Sequence, residues 1–176
     1  GPVEFDLKPH QKLREAVGED YILMSDPVAE YTMGEAVEVG RQLEKLGYKW
    51  LEEPFRDFEL YKYTELCRTL DIPIAATETT RGAHWGVAQA IAQRAADIVR
   101  ADVSWKNGIT GTLKIAHMAE GFGINCCTAE YVTENFQSLR SRYLCVVPGG
   151  PVEEACRLME YEEIAGNEHA VLYRRY

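Results

Sequence analysis

The chain has 176 residues, enough for one domain with a substantial core and too few for two large ones. With 46% hydrophobic residues, 27% charged residues and a net charge of −9, it reads as a globular protein and excludes a phosphate-backbone binder, which needs clustered Lys and Arg. No apolar run reaches the ~18–20 residues that would span a bilayer.

"GPVEFDLKPH" lacks the basic start and apolar stretch of a secretory leader. The five cysteines, with Cys126 and Cys127 adjacent, show no disulfide-framework spacing. Both features lead to the expectation of a reducing compartment, the cytoplasm.

Along the chain, short apolar strands alternate with helical patterns. "YILMSD" (21–26) predicts a strand, followed by a helix from Thr32 to Leu46. Thr32 and Glu35 have the spacing of a capping box, Ala36, Val39, Leu43 and Leu46 form the apolar stripe, and Gly47 suits a left-handed C′ position. A strand at 48–52 precedes a helix opened by Asp57 and carrying Leu60, Tyr63, Leu66 and Leu70. "IPIAATE" predicts a strand at 73–77, with a helix over 83–95 behind it. A strand at 97–101, a helix from Thr110 to Glu120 and a strand at 123–127 complete the alternation. Parallel neighbours need crossover connections, so this order predicts an α/β fold of parallel strands. The first strand-to-helix turn has no glycine-rich phosphate loop of the kind that doubly wound dinucleotide folds carry.

Asp26, Glu52 and Glu78 fall 26 residues apart, each at a predicted strand end, and Asp102 follows 24 later. In repeated strand–helix units, equal spacing puts equivalent residues side by side on one rim. Carboxylates gathered there repel one another and raise one another's pKa unless a cation joins them. Oxygen-only ligands favour a hard ion such as Mg²⁺. Asp26, Glu78 and one carboxylate of the Glu52/Glu53 pair are therefore the candidate metal ligands, with the other of that pair supporting them from behind. Arg81, three residues after Glu78, and Lys106 are candidate contacts for an anionic substrate group.

"LREAVGEDYILMSD", "LEKLGYKWLEEPF", "LDIPIAATE" and "DIVRADVSWKNGITGTLKIAHMAEGFGI" resemble, in order and spacing, the barrel domain of the mandelate racemase group of the enolase superfamily. The resemblance covers about residues 5–126. It implies a (β/α)8 barrel of the TIM type, with Mg²⁺ held by residues matching Asp26, Glu52 and Glu78. It also implies that Asp102 matches the aspartate that partners a histidine base on the next strand. Catalysis in that family begins by removing a proton α to a carboxylate, and dehydratase members then expel the β-hydroxyl of an acid sugar.

Three departures stand beside these motifs. The family's Lys-x-Lys base falls at or before Gly1, Ala129 stands at the histidine position, and "DPV" at 26–28 replaces the common Asp-x-Asn. The tail after Cys126 resembles none of the family's last strands. It predicts helices near 133–142 and from Pro151, the latter presenting Val152, Ala155, Leu158 and Met159, and strands at "YLCVV" and "AVLYR". The expectation is one incomplete or rearranged barrel domain over 1–176, family-like to 126 with a divergent tail over 127–176. An unpaired sheet edge predicts self-association as a homo-oligomer, or marginal stability. Two functions follow: a Mg²⁺-dependent acid-sugar dehydratase that retains Asp102 from the base dyad, or an inactive metal-binding fragment lacking both bases.

Overall fold

The computed structural model describes residues 2–129, 143–146, 162–166 and 171–174. The chain divides into two compact units, Gly1–Ala129 and Glu130–Tyr176. In the first, α1 (Pro2–Val17) and α2 (Met33–Lys45) precede β1 (Leu51–Glu52), α3 (Leu60–Thr69) and β2 (Ile74–Ala76). Then come α4 (Ala83–Ala92), β3 (Ile98–Asp102), α5 (Gly108–Gly121) and β4 (Asn125–Ala129). All four strands are parallel and lie in the sheet in chain order. A doubly wound sheet reverses its order at a switch point; this one does not, which is the winding of a (β/α) barrel.

The strand expected at 21–26 is reduced to a single parallel bridge between Ser25 and Leu51. Its ladder is nonetheless laid: Lys49 N–H donates to Leu23 O at 2.8 Å, Ser25 N–H to Trp50 O at 3.2 Å and Glu52 N–H to Ser25 O at 2.7 Å. Pro27 follows Asp26 and has no N–H to extend it. The strand expected at 48–52 is likewise shortened to two residues, with Glu53 already turned to φ 37°.

Helix α2 has the foreseen cap. Glu35 N–H donates to Thr32 Oγ1, Thr32 N–H donates back to Glu35 Oε2 at 2.8 Å, and Gly47 takes φ 65°. Ala36, Val39 and Leu43 are fully buried, while Leu46 at the end of the stripe is only partly covered. Helix α3 starts at Leu60 rather than beside Asp57. Asp57 Oδ2 instead accepts from Arg81 N–H at 3.3 Å in the next strand-to-helix loop, so it does not cap its own helix. Along β3, Val99 and Ala101 enter the apolar core with Val87, Ile91, Ile115 and Ala119, leaving Ile98 and Arg100 on the opposite face.

The second unit holds β5 (Tyr143–Val146), β6 (Glu162–Gly166) and β7 (Val171–Arg174) in the order β5-β7-β6, all antiparallel. Strands do form at "YLCVV" and "AVLYR", and they pair with each other antiparallel in a sheet of their own. Only residues 167–170 separate β6 from β7, a hairpin-length connection that forces antiparallel pairing. The helices expected at 133–142 and from Pro151 lie outside the described residues. No described helix is long and apolar enough to cross a membrane.

Candidate metal centre

Glu52 ends β1, and Glu78 follows β2 by two residues. Both carboxylates meet one cation from β3, the neighbour of β2. Arg100 Nε lies 2.8 Å from Glu52 Oε1, and Arg100 Nη2 donates to Glu78 Oε1 at 3.2 Å. The three side chains are 8%, 22% and 17% exposed for Glu52, Glu78 and Arg100, so little water screens them. The Nε approach to Glu52 is close but not aligned as a hydrogen bond, so Glu52 Oε1 is a buried acceptor in contact with charge and without a hydrogen. Its other oxygen accepts from Trp50 Nε1–H at 2.9 Å.

The electrostatics follow from this packing. Burial pushes the Glu52 carboxyl up; Trp50 and Arg100 pull it down, and Asp26 and Glu78 push it up again, leaving it above the ordinary range. Burial also raises Glu53, whose Oε1 accepts from Thr79 N–H at 2.9 Å, with Glu78 and Asp26 repelling it further. Burial disfavours the Arg100 charge, but Glu52 and Glu78 outweigh it and hold its pKa above the usual value. The backbone is bent on both sides of the pair, with φ 37° at Glu53 and φ 89° at Thr77. Such conformations persist where surrounding contacts over-determine them. One such contact is visible: the Thr77 hydroxyl donates to Arg100 O at 2.8 Å.

Asp26 stands apart. It is exposed, its Oδ1 accepts from Val28 N–H at 3.1 Å, and it borders a cavity of about 620 Å³ together with His10, Glu30 and Glu35. It reaches Glu52 and Glu53 through its field. Among the described residues, no group of three or more His, Cys, Asp or Glu side chains is drawn together closely enough to hold one ion. The structure thus unites two of the three expected ligands, around a guanidinium.

Asp102 is buried, and its Oδ1 accepts from Ser104 N–H at 2.6 Å. Its register partner on β4 is Ala129, so the neighbouring strand offers it no ionisable group at that level. Lys106 does not open to the site mouth. It is fully buried, its ammonium donates to Thr80 O, and burial draws its pKa below the usual lysine value against the pull of Glu53, Asp57, Glu78 and Asp102. Arg81 is exposed and lines a separate cavity of about 450 Å³ with Asp57, Phe58 and Gln89; none of the three candidate ligands borders it.

The residue that sequence reasoning missed is Arg100. Its signal was available: a charged residue inside the apolar run "DIVRAD", two before Asp102, shares that residue's face of the strand. Trp50 bears the same relation to Glu52.

A family model described as enolase C-terminal domain-like matches residues 1–163. The chain belongs to that family. Among its relatives, arabinonate dehydratase of Saccharolobus solfataricus is 40% identical over 121 residues, covering 69% of this chain and 32% of the relative. D-galactarolactone cycloisomerase of Agrobacterium fabrum is 35% identical over 122 residues, covering 69% and 32%. Among solved structures, D-glucarate dehydratase from Agrobacterium tumefaciens complexed with magnesium superposes with a TM-score of 0.71 at 42% identity, covering 76% of this chain and 35% of that one. The chain spans about a third of the length of the curated relatives it matches.

Two of the three expected ligands, Glu52 and Glu78, have the donor chemistry of a hard dication, while Asp26 is not drawn in with them. The donors are all oxygen, Glu52 Oε1 is buried without a hydrogen-bond partner, and a cation already sits between Glu52 and Glu78.

Proposed function

We propose that this chain supplies the Mg²⁺-binding face of an acid-sugar dehydratase, a lyase that takes a proton α to a carboxylate and expels the β-hydroxyl. The observation that supports it is the meeting of Glu52 and Glu78 on one cation at the ends of adjacent parallel strands, in a chain 40% identical to an arabinonate dehydratase over 121 residues. Asp26, Glu52 and Glu78 would hold the ion, which when bound supplies Lewis-acid polarisation of the substrate carboxylate. Trp50 fixes the orientation of Glu52, and the Thr79 N–H holds Glu53 close behind. The Asp102 carboxylate shapes its loop through Ser104. In a dehydratase the α-proton then needs a base from outside the residues described above.

One observation favours a second reading, a metal-binding chain without turnover: the register neighbour of Asp102 is Ala129. Incubating the chain with Mg²⁺ and a panel of sugar acids, and assaying 2-keto-3-deoxy acid formation, separates the two. Product supports the dehydratase; no product with intact Mg²⁺ binding leaves only the second.

A further inference from the structure

The position of Arg100 bears on how a metal would enter. Its backbone is fixed on both sides: Arg100 pairs in register with Cys127 on β4, and its carbonyl accepts the Thr77 hydroxyl. Its head group spans two carboxylates on two other segments of the sheet, contacting Oε1 of each. The remaining contact, Nη1 to Cys127 Sγ at 3.7 Å, is weak. The Glu52 contact is close yet misaligned for hydrogen bonding, so charge rather than directed bonding holds the guanidinium there. A dication held by these two carboxylates would sit beside that guanidinium. An ion and a guanidinium held side by side would repel at short range in a poorly screened pocket.

We infer that Arg100 is a tethered counter-ion of the metal-free site, competing with the dication for Glu52 Oε1 and Glu78 Oε1 and leaving them when metal binds. This inference rests on the proposed metal site. A tethered competitor lowers apparent affinity by the fraction of time it leaves the site free, and it spares the metal-free fold two mutually repelling carboxylates, one of them buried. Removing it therefore has two opposite effects: metal binds more tightly, and the metal-free protein melts earlier.

The test uses the full chain with Mn²⁺ as probe, free ion being counted by its EPR signal, alongside thermal melts with and without Mn²⁺. Arg100→Gln is expected to bind Mn²⁺ about tenfold more tightly or better, to melt lower without metal, and to gain more from metal than the parent does. Arg100→Lys keeps the charge but cannot fork between two carboxylates, so it is expected to bind at least about threefold more tightly; it serves if the Gln variant does not fold. Equal or weaker binding by these variants, with parental binding that Glu52→Gln abolishes, overturns the inference and leaves the metal site standing. No binding by the parent or by any Arg100 variant overturns both.

Discussion

Val28 is a β-branched residue held at φ 52°, followed by Ala29 at φ 65°, in the loop that carries Asp26. A bulky residue rarely adopts this region, and the strain is worth about 1–3 kcal/mol. Its side chain is 61% exposed, so little packing offsets it. Val28→Asn is therefore expected to raise stability by about 1 kcal/mol, since Asn tolerates the left-handed region; a lower melting temperature would contradict this. Cys67 gives a second expectation. Burial and the nearby Asp97 push its thiol up to about 12, so it stays protonated and unreactive near neutrality. Mass spectrometry after iodoacetamide treatment at about pH 8 is expected to find Cys67 unmodified in the folded chain and alkylated in denaturant.

At the scale of elements, the turn between α3 and β2 is tied to α2 by one carboxylate. Glu44 Oε1 accepts from Asp71 N–H at 2.7 Å and Ile72 N–H at 3.2 Å, while Arg41 pairs with its other oxygen at 3.0 Å. Burial alone would raise Glu44, but these donors outweigh it and hold its pKa below the ordinary 4.5. A carboxylate lowered by folding contributes stability above its unfolded pKa and loses it as pH falls through the folded value. Glu44→Gln is thus expected to cost about 1 kcal/mol at neutral pH, and the gap in melting temperature should close as pH drops below 4.5. A gap that stays constant down to acid-induced unfolding would refute the assignment.

Elements were legible where side-chain pattern and backbone need agreed. Thr32, Glu35 and Gly47 mark both ends of α2 because their chemistry acts within a turn or two. Asp57 misled because its carboxylate serves the next loop, a partnership 24 residues away that no local pattern carries. β6 went unseen because Glu162 and Glu163 are poor strand formers, and the strand is defined by its pairing with β7.

Over the whole molecule, the 26-residue spacing of Asp26, Glu52 and Glu78 carried most of what the sequence could tell, since equal steps in a sequentially ordered parallel sheet align strand ends. It could not reveal that Arg100 sits between two of them, because that depends on side-chain reach across strands. Among the described residues, β4 is the last strand of the parallel sheet, and a free edge there would be a template for another chain. Light scattering at micromolar concentration is expected to find dimers or larger species; a monomer at every concentration would contradict this.

Whether Glu52 and Glu78 hold a dication together is tested most directly by calorimetric titration with Mg²⁺ of the parent, Glu52→Gln and Glu78→Gln. The expected result is one Mg²⁺ per parent chain, weakened by at least about tenfold in each variant. No binding by the parent, or binding that neither substitution alters, would contradict it.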